Sequence, residues 1–147
     1  MTTSHMPTPV HLLETAVVPG RIWRTVTALI TGFVAVGAYY GTWYLTEAIA
    51  LQELPVAPPS FLPGDGWGFG ALALLLLVAA PMTVACLTAI SGHPAAAQTA
   101  MLAGGLLMAW IVVQVLLIGL VFWLQPAMFL FGVVVLALGM GAYRPAR

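Results

Sequence analysis

The chain has 147 residues, 62% of them hydrophobic and only 5% charged, with a mean hydropathy of +1.06. Soluble domains carry about 25% charged residues, so there is too little polar surface here to cover a water-soluble globule. Net charge is zero, Lys is absent and Cys86 is the single cysteine. A basic patch for nucleic acid and an intrachain disulfide or CxxC redox pair are therefore both excluded.

Residues 1–20 mix polar and apolar side chains, with Pro7, Pro9 and Pro19 as breakers. No basic segment precedes a short apolar core and no small-residue cleavage site follows, so a signal peptide is not expected. The reading is an N-terminal cytoplasmic tail. From residue 21 to 147 the chain is organised by four runs without Asp, Glu, Lys or Arg, namely Thr25 to Leu45, Trp67 to Ile90, Ala97 to Trp123 and Pro126 to Tyr143. About 20 apolar residues in helical form cross the roughly 30 Å hydrocarbon layer of a bilayer. The expected fold is all-α, an antiparallel bundle of four transmembrane helices over about 24–50, 67–90, 97–123 and 126–143.

Span 1 follows Arg21 and Arg24 and gathers Tyr39, Tyr40, Trp43 and Tyr44 toward its far end, where amphipathic rings favour the headgroup level. Loop 51–66 carries Pro55, Pro58, Pro59 and Pro63, which forbid a regular helix. Pro81 inside span 2 is expected to kink it and free a carbonyl near Leu77. A tight turn at 91–96 leads to span 3, and Gln125-Pro126 is the expected break before span 4. All four arginines (21, 24, 144 and 147) flank the outer ends of spans 1 and 4, whereas Glu47, Glu53 and Asp65 lie on or beside loop 51–66. The positive-inside rule then places both termini in the cytoplasm and that loop outside the plasma membrane.

Few residues are candidates for chemistry. Gly68-Phe69-Gly70 resembles a potassium-channel filter only superficially. The Thr-Val run and pore helix that such a filter needs are replaced by Pro58-Pro59-Ser60-Phe61-Leu62-Pro63. Trp67 reads as an interface anchor at the start of span 2. Glu47 lies roughly 33 Å beyond Arg24 at 1.5 Å per residue, at the outer interface. It is either a solvated carboxylate or a proton or cation site. Gln114, in the middle of span 3, presents two donors and an acceptor that lipid cannot satisfy. It either bonds across to a neighbouring helix or lines a small polar cavity, with Trp110 one turn away. Gln125 is the third polar landmark. Thr27, Thr31, Ala35, Ala38, Thr42 and Thr46 form a small-residue stripe on span 1, beside the ridge Gly37-x-x-x-Gly41. Both suit close helix packing, within the bundle or in a dimer. His5, His11, His93 and Cys86 show no ligand spacing, so neither metal nor cofactor is expected.

Leu62-Pro63-Gly64, Trp110-Ile111-Val112-Val113-Gln114, Ile118-Gly119 and Leu124-Gln125-Pro126 give the chain a further property. Over about residues 37–139 it resembles a broad set of small, uncharacterised bacterial four-span integral membrane proteins. That resemblance implies the four-span topology and points to Gln114 and Gln125; it implies no activity. Two function classes stay open. One is a non-enzymatic accessory or scaffold component that packs in the lipid bilayer against a membrane protein partner. The other is a small homo-oligomeric transporter or channel for a proton, cation or small solute. A membrane enzyme is not expected, because no paired carboxylates or nucleophile–base set is present.

Overall fold

The computed structural model describes residues 20–51 and 66–143, with side chains for 20–48 and 66–143. The expected tail over 1–19, the proline-rich loop over 52–65 and the C-terminal arginines lie outside the described residues. Five α-helices follow in order: α1 (Arg21–Leu51), α2 (Trp67–Leu74), α3 (Ala80–Ser91), α4 (Ala96–Ile118) and α5 (Leu124–Ala142). A π-helical turn, Leu75–Ala79, joins α2 to α3, so these two make one continuous span. No strand occurs among the described residues. Four helical segments are long and apolar enough to cross a membrane: Arg21–Ala48, Trp67–Ser91, Ala96–Ile118 and Leu124–Ala142. The architecture is that of a multi-pass membrane protein.

Each junction has a local cause. The first helical bond of α1 runs from the Arg24 amide to the Gly20 carbonyl. The π turn ends at Ala79, two residues before Pro81, with the Ala80 amide reaching back to the Leu75 carbonyl. A proline ring clashes with the carbonyl four residues before it and donates nothing. The wider turn makes room for it, where the sequence suggested a kink. At the end of α3, Gly92 adopts a left-handed conformation (φ 68°) and the His93 amide bonds the Thr88 carbonyl at 3.0 Å. This is a six-to-one closure of the kind that ends helices at glycine.

The third connection differs from expectation. Helix α4 stops at Ile118 rather than near Trp123, and α5 already contains Gln125 and Pro126 in its first turn. The break is Gly119–Trp123. Gly119 takes φ +79°, ψ −179°, a conformation essentially restricted to glycine. Pro126 causes no interruption, because a first-turn residue has no intrahelical acceptor for the amide it lacks.

The helices alternate in direction. Helix α1 packs most closely on the α2–α3 span, and α4 on α5; α3 joins the two hairpins by lying against α4. Trp23 Nε1 donates to the Leu138 carbonyl at 2.8 Å, bringing the start of α1 beside the end of α5. The core runs through Val34, Val78, Met82, Leu107 and Val135, all fully buried. Small residues surround it: Ala35 and Ala38 of α1 and Ala79 and Ala85 of span 2 are buried with it. With lipid outside, association of such helices depends on close packing and cross-helix hydrogen bonds rather than on expulsion of water. The Thr88 and Thr99 hydroxyls meet at 2.7 Å between α3 and α4, and the Tyr39 hydroxyl meets that of Thr83 at 3.2 Å between α1 and α3.

Candidate functional site

The polar side chains of the spans separate into satisfied and unsatisfied groups. Most threonines bond backward within their own helix. Thr31 donates to the Thr27 carbonyl at 2.7 Å, Thr42 to that of Ala38 at 2.9 Å and Thr83 to that of Ala79 at 2.8 Å. Such back-bonds absorb a hydroxyl in an apolar surrounding without a second helix. Of the small-residue stripe on α1, Thr27, Thr31, Ala35 and Ala38 are buried, Thr42 is half-buried and Thr46 is exposed. Its neighbouring glycines point to different surroundings. A Cβ on Gly41 would lie 3.2 Å from the Leu74 side chain, whereas one on Gly37 would meet no described atom within 4 Å.

Gln125 is spent on the turn it follows. Only 3% exposed, it accepts at Oε1 from the Val121 and Phe122 amides at 3.1 and 3.2 Å, and donates from Nε2 to the Gly119 carbonyl at 3.2 Å. One amide side chain thereby pairs three backbone groups that the break between α4 and α5 would otherwise leave open. The sequence marks Gln125 as polar, but this clasp depends on a turn whose position the sequence misplaced.

Gln114 is different. It is half-buried in the C-terminal third of α4, and among the described residues its amide makes no hydrogen bond. Trp110, one turn earlier and 7% exposed, buries its indole Nε1 without a partner. Two neighbouring donors thus lack acceptors on one face of α4. The only other buried, unpartnered side-chain polar atoms described are Trp67 Nε1, at the start of α2, and Thr27 Oγ1.

Glu47 lies exposed in the last described turns of α1, without an ionic partner among the described residues. Tyr40 and Trp43 lie just before it, their rings tilted by 49° with centroids 5.7 Å apart. The structure does not bring Glu47, Gln114 and Gln125 together into one polar cluster. No group of three His, Cys, Asp or Glu able to hold a metal occurs among the described residues. Cys86 is half-buried, its Sγ 3.4 Å from the Ala28 carbonyl across the α1–α3 contact.

The remaining candidate is a surface. Ile22, Val26, Leu29, Phe33, Val36, Tyr40, Trp43 and Glu47 succeed one another by alternating four- and three-residue steps, and all are exposed. Phe33 meets Phe131 of α5 with the rings tilted by 47° and their centroids 5.7 Å apart, which fixes one flank of the row. Gly37 completes a diamond with Phe33, Val36 and Tyr40 on this face, and a Cβ there would meet only open space among the described residues. Sequence reading singled out Gly37 and the aromatic end of α1, but the whole row became visible only once the bundle had claimed the opposite face. No family model, no curated protein and no solved structure matches the chain.

Proposed function

We propose that the chain is a non-enzymatic accessory or scaffold component of a membrane assembly, seated against a partner helix through the outer face of α1. The supporting observation is the exposed row from Ile22 to Glu47. Its 3.5-residue period is the spacing that keeps a seam in register with a second helix in a left-handed pair. The diamond of Phe33, Val36, Gly37 and Tyr40 has the spacing that receives a knob from such a helix, and the open corner at Gly37 permits close backbone approach in lipid. The far end of the row turns aromatic through Tyr40 and Trp43 before it reaches the exposed Glu47, so a partner meeting it there would pack on rings at the headgroup level.

A photoactivatable phenylalanine placed at Val36 or Tyr40 tests this reading at native expression level, with Leu102 and Leu116 on α4 as exposed controls. The expected result is one stoichiometric adduct with a different polypeptide from α1 and none from α4. Adducts with lipid alone, or equal yields from both helices, would overturn the reading. The unpartnered Trp110 and Gln114 favour a second reading, a homo-oligomer with a small polar path. An adduct with a second copy of this chain would shift the weight there.

A further inference from the structure

The arginine end of the bundle holds an open groove of about 520 Å³ between the first turns of α1 and the last turn of α3. Arg21 and Arg24 stand at its polar end, while Ala28, Leu29, Ala89 and Ile90 form apolar walls. Arg24 is fixed in place. Its Nε donates to the Ala89 carbonyl at 2.9 Å and its Nη2 to the Ile90 carbonyl. Gly92 makes room for the guanidinium, since a Cβ there would sit 2.6 Å from Arg24 Cζ. Arg24 therefore caps the carbonyl end of α3 and still carries an unbonded Nη1. Arg21, one turn away on the same face, is exposed and its guanidinium bonds nothing among the described residues.

Two like charges thus share a face with no counter-ion among the described residues. Glu47, the only carboxylate whose side chain is described, lies at the far end of α1. Apolar sequence begins at Thr25, immediately after Arg24, so in a bilayer the pair sits at headgroup depth with the apolar walls just below. Guanidinium forks match phosphate oxygens in charge and geometry. We propose that this groove binds an anionic phospholipid. Its phosphodiester lies between Arg21 and Arg24, and one acyl chain runs along Ala28 and Leu29 against Ile90. The headgroup must be anionic overall, because a choline or ethanolamine headgroup would return a cation to a site that already holds two.

The test uses the full chain in a neutral detergent, with thermal unfolding and native mass spectrometry as readouts. The probes are phosphatidylglycerol, phosphatidylcholine with the same acyl chains, and inorganic phosphate. Phosphatidylglycerol is expected to raise Tm and to survive as a single adduct, with neither effect from phosphatidylcholine. Arg21→Gln, which leaves the Arg24 cap untouched, is expected to weaken retention about tenfold, the loss of one charged hydrogen-bonding partner. Equal retention of the two lipids, or unchanged retention in Arg21→Gln, would overturn the proposal. A Tm rise with inorganic phosphate equal to that with phosphatidylglycerol would also overturn it, in favour of a free-anion site.

Discussion

Gly104 and Gly132 bring the backbones of α4 and α5 into direct contact. A Cβ added at Gly104 would lie 2.7 Å from the Gly132 carbonyl oxygen and 2.6 Å from the Leu136 backbone nitrogen. Further along the same seam, Met108 and Met101 lie over Gly132 and Gly139, where an added Cβ would come within 2.7 and 2.5 Å of their Cγ atoms. A methionine side chain can move aside, but a backbone cannot, and backbone atoms also crowd Gly139, where the Met101 nitrogen and the Ala97 carbonyl oxygen would lie 2.7 and 2.9 Å from the added Cβ. Gly104→Ala is therefore expected to separate the two helices and cost about 1–3 kcal/mol, the usual range for overpacking. Gly105→Ala, next in the chain and with nothing described within 4 Å of its Cβ, is the control and should be neutral or slightly stabilising. Unfolding in a mild detergent measures both.

Gln125→Leu keeps the volume of the clasp and removes all three of its hydrogen bonds. The Val121 and Phe122 amides and the Gly119 carbonyl then lose their partner. Stability is expected to fall by about 1–3 kcal/mol, the loss of three part-buried hydrogen bonds. Hydrogen exchange supplies the specific readout: Val121 and Phe122 should lose protection, while amides in the middle of α4 and α5 keep theirs.

Gln114→Leu is expected to behave otherwise. Its amide has no bond to lose among the described residues, so stability should change by about 1 kcal/mol or less in either direction. A variant that inserts and folds normally yet abolishes a measured activity would mark Gln114 as part of a polar path.

Glu47→Gln preserves shape and removes charge. For an exposed carboxylate at an interface, folding, insertion and complex formation are expected to stay unchanged. Proton or cation flux in proteoliposomes, wild type beside variant at matched incorporation, distinguishes the two functional readings. Flux in the wild type that disappears in the variant would establish transport and displace the accessory role.

Orientation is tested by a cysteine at Ser60, in the loop outside the described residues, in a Cys86→Ala background. The arginine placement predicts labelling by an impermeant thiol reagent from outside intact cells. Labelling only after permeabilisation would invert the topology.

The four spans were legible because lipid imposes one demand on every turn of a crossing helix, and unbroken apolar runs announce it. The end of α4 was not. Leu120 to Trp123 are as apolar as the helix before them, and hydropathy does not distinguish a helix from an interfacial turn. Only the backbone of Gly119 reveals the change. Gln114 and Gln125 were equally visible as polar residues, yet their opposite fates depend on which backbone groups lie within reach, a property of the turn. Gly37 and Gly41 attracted notice through their four-residue spacing. Gly132 and Gly139, one heptad apart, did not, although Gly132 and Gly139 both lie directly against α4. The period of seven was the signal available for them.

The π turn at Leu75–Ala79 gives span 2 a property that the other spans lack, namely tolerance of a change in chain length at one point. A wide turn of this kind is equivalent to an α-helix with one residue too many. Loss of any single residue from that stretch could be absorbed as a return to α-helical winding, with α3 and its Gly92 terminus undisturbed. The α2 segment would pay in phase, turning by about 100° relative to α3, one α-helical step. Ala71, now buried, would swing away from the bundle, and Leu74 would leave its place against Gly41. Span 2 therefore couples winding to orientation: a local change between two helical pitches in its middle would appear at its Trp67 end as a rotation.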